Sequence, residues 1–227
     1  MTDSSRSSRA PLLFATSIAA AAGFALIARA VARRDTARVD HEVHDQTAVR
    51  PGHPAREAAE AAGPIGKWWT YVPAAALTGV YVLASRKRGE DLPSRIFGTG
   101  AILAAASAAA ALNHVFDDLL PQPPAPPGRP VDHPVFPSGH AFGTSTVALT
   151  AAYVLSRERC AHPALAFPAA MAIPVASSIA RLIEEKHWIS DIVGGHLAAI
   201  ALASLSLAVY EAAADGCSKD PVLLSPP

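Results

Sequence analysis

The sequence is poor in several residue types, and each shortage argues against a class of protein. Cysteine accounts for 2 of 227 residues, aromatic residues for 6%, and Lys plus Arg balance Asp plus Glu at 19 each. The two cysteines, Cys160 and Cys217, suggest neither a disulfide framework nor a cysteine-based metal site. Balanced charge gives no basic surface for nucleic acid and no acidic tail. We therefore expect no nucleic-acid partner.

Charged residues are also missing from six apolar segments, in a chain that is 51% hydrophobic and 17% charged. Most of these segments approach the roughly 20 residues that cross about 30 Å of hydrocarbon as a helix. The pattern predicts an all-α fold, a polytopic membrane helical bundle with about six transmembrane helices. Core helices of a soluble bundle are the alternative, which a mean hydropathy of only +0.24 leaves open. The segments are Leu12–Ala28, Trp69–Ser85, Ile96–Val115, Ala141–Leu155, Ala161–Ala180 and Ile192–Tyr210.

The amino-terminal segment, residues 1–35, carries the first predicted membrane helix. Arg6 and Arg9 precede it, and Ala-Arg-Ala at 28–30 resembles a signal-peptidase site. We expect a retained helix, with a cleaved signal as the alternative. Residues 36–212 would then form the membrane domain, followed by a short polar tail at 213–227.

The charge of the connecting loops predicts the orientation in the cell membrane. The loops 85–95 and 156–163 are rich in Arg and Lys, which favours the cytoplasmic side for both loops and both termini. The segments 32–67, 116–137 and 181–191 would then face outward.

The first polar motif, Phe-Pro-Ser-Gly-His, ends the proline-rich segment 121–137 and begins an apolar run. Pro137 suits the first turn of a helix because its missing N–H would have no partner there. The amides of Ser138, Gly139 and His140 would lie at the positive end of that helix. Helix ends of this kind bind anions.

The second polar motif contains Arg181, His187 and Asp191. On a helix, His187 and Asp191 at i and i+4 share a face, so the carboxylate can fix the imidazole tautomer. A histidine held in this way serves as a nucleophile or a base. Arg181 offers a planar guanidinium, which suits phosphate.

Each residue also has an ordinary explanation, as an interfacial histidine, a helix-surface pair or an arginine that extends to the interface. The two motifs nevertheless fall on the same predicted membrane face. Together they supply a nucleophile, an acid, an anion-binding helix end and a guanidinium, without a cluster that has metal-ligand spacing. This combination indicates phosphoryl transfer without a metal.

The motifs resemble those of a known family. Pro-Ser-Gly-His at 137–140, followed by Arg-x5-His-x3-Asp at 181–191, is similar to the second and third motifs of the type 2 phosphatidic acid phosphatases. Vanadium-dependent haloperoxidases share this superfamily, but the small hydrophobic chain disfavours that activity. Order, spacing and position relative to the apolar segments agree from about residue 36 to 212.

The resemblance implies a role for each motif residue. His187 would form a phosphohistidine, Asp191 would orient it, and His140 would protonate the leaving group and later activate water. Phosphate would be held by Ser138, the Gly139 amide, Arg181 and Arg129. No metal or other cofactor is implied.

The chain departs from the family pattern in the first motif, which is normally Lys, six residues, then Arg-Pro. Arg129 and Pro130 supply the Arg-Pro, but Gln122 stands where lysine is expected. An alternative register places Asp117 there, and neither register has a lysine. Loss of one charged donor costs about 3–4 kcal/mol of transition-state stabilisation in comparable sites. Lys186 is either a substitute cation or an anchor at the membrane interface.

The expected function is hydrolysis of a lipid phosphate or polyprenyl diphosphate, for example phosphatidic acid or undecaprenyl diphosphate, at an outward-facing site. A weak or degenerate relative that acts as a membrane binding or scaffold protein is one alternative. A lipid phosphotransferase is the other. Outside the motifs, His196 is expected to hydrogen-bond another helix, and Asn113, His114, Asp117 and Asp118 to line the entrance.

Overall fold

The structure is a computed structural model that describes residues 9–85 and 92–219, and no strand occurs in these ranges. A short 3-10 turn, Gly63–Gly66, precedes α4. Most of the predicted cytoplasmic loop 85–95, the arginine at position 6, and residues 220–227 of the predicted tail lie outside the described ranges. The helices are α1 (Arg9–Arg33), α2 (Ala37–Thr47), α3 (Pro54–Ala61), α4 (Trp68–Ala84), α5 (Leu92–Leu119), α6 (Gly139–Arg157), α7 (Pro163–Ile183) and α8 (Ile189–Lys219).

The six apolar segments predicted from the sequence coincide with α1 and α4 to α8, to within two residues at each end that they exceed, which confirms the all-α bundle. Within the described residues, α1, α5, α7 and α8 are long and apolar enough to cross a membrane by themselves. Helix α4 has only 17 residues. The helix α8 continues past residue 212, through the first part of the predicted polar tail.

Helix α6 lies at the centre of the bundle, packed against α4, α5, α7 and α8. Its threonines are buried, and each bonds to its own helix: Thr146 Oγ1 donates to the Phe142 carbonyl and Thr150 Oγ1 to the Thr146 carbonyl, both at 2.8 Å. Because neighbouring helices shield α6 on most sides, it needs less apolar surface than a helix that faces lipid.

Helix α1 packs along α8 and reaches the first polar motif. Ser17 Oγ donates to the Ala201 carbonyl at 2.8 Å. Nearer the other end of α1, the ring of Phe24 stacks on that of Phe136, with centroids 5.8 Å apart. The first helix therefore supports the residues that lead into Pro-Ser-Gly-His.

His196 links three helices in the middle of the bundle. Its Nδ1 lies 2.8 Å from Ser145 Oγ on α6, and its Nε2 lies 3.1 Å from Ser178 Oγ on α7. The predicted interhelical hydrogen bond is confirmed, and His196 has a structural explanation that requires no catalytic role.

The short helices α2 and α3 cover the junction between α7 and α8. Asp40 accepts hydrogen bonds from the backbone N–H and the hydroxyl of Ser190, both at 3.0 Å, so it caps the start of α8. Arg56 donates to Glu185 at 2.7 Å and to the Val49 carbonyl at 2.8 Å. One end of the bundle thus collects the three segments that were predicted to face outward, and the 158–162 turn lies at the opposite end.

Candidate active site

A cavity of about 490 Å³ opens at this end of the bundle, a volume typical of small-molecule sites. It brings together both polar motifs and the proline-rich segment. Five predicted site residues line it, whereas Ser138 and Asp191 are fully buried and are not among the residues of its wall. The five are Arg129, Gly139, His140, Arg181 and His187.

The start of α6 is fixed directly to the second motif. The Ser138 N–H donates to the Asp191 carbonyl at 3.0 Å. Ser138 is also the N-cap residue, and its hydroxyl accepts from the Ala141 N–H at 3.5 Å. The side chain predicted to hold phosphate is thus engaged in capping, while Gly139 lies at the cavity surface.

The geometry around His187 defines its tautomer. Its Nε2 lies 3.4 Å from Nη1 of Arg129. Because a guanidinium only donates, Nε2 must carry the lone pair and Nδ1 the hydrogen. That nitrogen faces Asp191 Oδ2 at 3.4 Å, a long contact, and the same oxygen accepts from the Trp188 N–H at 2.7 Å.

Burial lowers the pKa of His187 well below 6.5, and the positive charges of Arg129 and Arg181 lower it further. The imidazole is therefore neutral at neutral pH. A neutral ring with its lone pair on Nε2 is the form that attacks phosphorus.

His140 contacts the 3-10 turn across the cavity. Its Nε2 lies 3.1 Å from the Gly63 carbonyl, so this nitrogen carries a hydrogen. A Cβ added at Gly66 would lie 1.9 Å from Cδ2 of His140, so only glycine allows the turn to approach the ring this closely.

Glu184 is a buried carboxylate at the site that the sequence analysis missed. It forms ion pairs with Arg181 and with Lys186, which lines the cavity. The spacing of Arg181 and Glu184, i and i+3 on one helix, was an available signal. Arg181 also donates to the Ala59 carbonyl at 3.3 Å, so part of its donor capacity is already used.

Gln122, which stands at the expected lysine position, folds the proline-rich segment. Its Oε1 accepts from the N–H groups of Val135 at 2.7 Å and Phe136 at 2.8 Å. Its amide donates to the carbonyls of Phe136 at 2.9 Å and Leu120 at 3.2 Å. This side chain is not among the residues that line the cavity.

The remaining wall of the cavity comes from α5 and from the start of α4. Asn113, His114 and Asp117 line it, as predicted for the entrance, whereas Asp118 is not among the residues of the wall. The start of α4 adds residues that the sequence analysis did not select. These are Lys67, Trp68, Trp69 and Tyr71.

Comparisons with known proteins agree with this arrangement. The model of the PAP2 superfamily matches residues 14–215. A similar solved structure is that of a transmembrane PAP2-type phosphatidylglycerolphosphate phosphatase from Bacillus subtilis, with a TM-score of 0.72 and 19% identity, covering 91% of this chain and 98% of that one. No curated protein matches the sequence. The family match covers both motifs, α4 to α7 and most of α1 and α8, and the chain belongs to the PAP2 superfamily.

Proposed function

We propose that this protein is a membrane phosphatase that hydrolyses a phosphomonoester or diphosphate of a lipid through a phosphohistidine. The observation that carries the proposal is the neutral His187, whose Nε2 lies beside Arg129 while Nδ1 faces Asp191. Membership of the PAP2 superfamily and the fold of a membrane phosphatase support the same reaction class.

In the proposed first step, the lone pair on Nε2 of His187 forms a bond to phosphorus, and the bond from phosphorus to the lipid oxygen breaks. Negative charge that builds on the transferred oxygens is stabilised by Arg129, Arg181 and the Gly139 amide. His140 gives a proton to the departing oxygen. A bound phosphate dianion favours the imidazolium form of His140 that this step needs.

In the second step, His140 removes a proton from water, and the water oxygen bonds to phosphorus as the bond to His187 breaks. Inorganic phosphate leaves and both imidazoles regain their starting forms. No metal enters this scheme, since the protein's own guanidinium groups and amides supply the charge stabilisation.

The orientation is part of the proposal. The cavity lies at the end of the bundle opposite the turn 158–162. Arg157 at the end of α6 and Arg159 in this turn favour the cytoplasm. The substrate phosphate would then be cleaved on the outer face of the cell membrane, with the lipid chains in the bilayer.

The test is phosphate release by purified protein from phosphatidic acid and from undecaprenyl diphosphate in detergent or vesicles without added metal. The proposal expects release that depends on His187. Release equal to that of a His187→Ala control would contradict it and favour a binding or scaffold role. Transfer of the phosphoryl group to an added alcohol rather than to water would indicate a phosphotransferase.

A further inference from the structure

The cations around the cavity differ in their partners. Arg181 and Lys186 share the carboxylate of Glu184. Lys67 lines the same cavity, is exposed, and forms no ion pair with any described residue. Its ammonium instead lies 5.3 Å from the centroid of the Trp69 ring. A cation with no carboxylate partner in a cavity can take its counter-charge from a ligand.

Lys67 lies on the same side of the cavity as His140. It follows Gly66 directly, and Gly66 lies against the ring of His140. The Gly63 carbonyl at the other end of the same turn contacts Nε2 of His140. Because His140 is the proposed donor to the leaving oxygen, Lys67 lies beside the leaving group.

We propose that Lys67 and the adjacent Trp69 form a subsite for a second phosphate carried by the leaving group. The substrate class is then a lipid diphosphate, or a lipid phosphomonoester whose leaving group contains a phosphodiester. This inference rests on the proposed function, because it takes the roles of His140 and His187 from it. Phosphatidic acid has its single phosphate at the reacting centre and leaves this subsite without a ligand anion.

Lys67 can be replaced without disturbing the fold. Its side chain is exposed, and its hydrogen bonds come from the backbone, which a substitution keeps. Its N–H donates to the Pro64 carbonyl at 3.1 Å, and its carbonyl accepts from the N–H groups of Thr70 at 2.9 Å and Tyr71 at 3.1 Å. Lys67→Met keeps the length of the side chain and removes the charge, and Lys67→Arg keeps the charge. Arg38→Met is the matched control, since Arg38 is an exposed cation on α2 with an ordinary partner in Glu42.

The kinetic test compares phosphatidic acid, undecaprenyl diphosphate and phosphatidylglycerophosphate as substrates. We expect Lys67→Met to raise KM about tenfold for the two substrates that carry a second phosphate, with little change in kcat. Phosphatidic acid should be hardly affected, and Lys67→Arg should restore most of the loss. Equal loss on all three substrates, or on none, overturns the proposal. A loss on only one of the two-phosphate substrates identifies which of them the subsite accepts.

A binding test does not depend on turnover. Calorimetry with inorganic pyrophosphate and inorganic phosphate should show about tenfold weaker pyrophosphate binding in Lys67→Met and unchanged phosphate binding. If the wild type is inactive as a phosphatase but Lys67→Met weakens pyrophosphate binding as expected, the proposed function is refuted and the anion subsite is supported. If the wild type is active but Lys67→Met binds pyrophosphate as tightly as the wild type does, the subsite alone is refuted.

Discussion

The two ends of the helical bundle both bury charged groups, but they balance those charges differently. At the end away from the cavity, Glu158 accepts from Ser94 at 2.6 Å and from Tyr210, and pairs with Arg95. Nearby, the buried Glu211 pairs with an arginine on α6 and accepts from a tyrosine of the same helix. Arg9 also lies 4.0 Å from Glu211, so each arginine of this network contacts a carboxylate.

At the cavity end, some cations contact a carboxylate and others do not. Glu184 serves both Arg181 and Lys186, and neither Arg129 nor Lys67 forms an ion pair among the residues that the structure describes. Excess positive charge around a cavity attracts and holds an anion. The comparison therefore separates charge that is neutralised within the fold from positive charge at the cavity that is available to an anion.

The largest effect expected concerns the proposed nucleophile. His187→Ala should reduce phosphate release at least about a thousandfold, because the covalent route is removed. The control lies at the opposite end, where the exposed His162 caps α7, and His162→Ala should keep activity within about twofold. Phosphate-release kinetics on the two purified variants checks this. Comparable activity of both variants would remove the functional distinction between the ends.

The carboxylates of the two ends give the next comparison. Glu184→Gln and Glu211→Gln each leave an arginine, Arg181 or Arg157, without its charged partner, so each should destabilise the protein by roughly 3–5 kcal/mol. Only Glu184→Gln also adds net positive charge beside the cavity. Inhibition by inorganic phosphate should therefore become severalfold tighter in Glu184→Gln alone. Identical inhibition constants for both variants would show that Glu184 does not offset the charge of the site.

A substitution at Gln122 tests whether a lysine at this position would contribute to activity. Gln122→Lys should lower the free energy of unfolding by about 1–3 kcal/mol for each buried N–H left without an acceptor, without raising kcat/KM. Gln46→Lys on the exposed surface of α2 is the matched control and should be nearly neutral. Thermal unfolding and activity together check this. A gain in kcat/KM would mean that position 122 reaches the phosphate after all.

The smallest effect expected is a pH dependence of stability. The pKa of His187 is lowered in the folded protein, so below pH 6.5 the unfolded chain binds a proton that the folded protein does not. The neutral ring therefore costs no stability above pH 6.5. Below it, the free energy of unfolding declines as the pH falls, by at most about 1.4 kcal/mol per pH unit. His187→Gln should show a shallower decline of Tm between pH 7 and pH 5. Equal slopes would contradict the buried neutral histidine.

Local sequence patterns were enough to predict the six long helices and the pairing of the two motifs. The apolar runs give helices because each is long enough and lacks charge. His187 and Asp191 face each other as predicted, although His187 lies two residues before the start of α8 and not on the helix. Both signals lie within one segment of the chain. The start of α6 differs slightly from the prediction: Pro137 was expected in its first turn, whereas Ser138 caps the helix and Gly139 begins it.

Contacts between distant segments were not predictable in this way. Gln122 bonds to backbone groups 13 and 14 positions away in an irregular loop. His140 on α6 contacts the carbonyl of Gly63, in the turn before Lys67, although the two residues are 77 positions apart in the sequence. No periodicity encodes such contacts, because packing of whole helices brings these residues together. The missing lysine was visible in the sequence, but the role of Gln122 and the cation at position 67 required the fold.

The most direct test of the central claim is to trap the phosphoryl group. Rapid quenching of wild-type protein with phosphorus-labelled lipid phosphate, followed by mapping of the labelled peptide, should place the label on His187. The bond should be acid-labile and base-stable, and no label should appear in His187→Ala. Label on another residue, or undiminished turnover by His187→Ala, would contradict the covalent histidine mechanism proposed for this site.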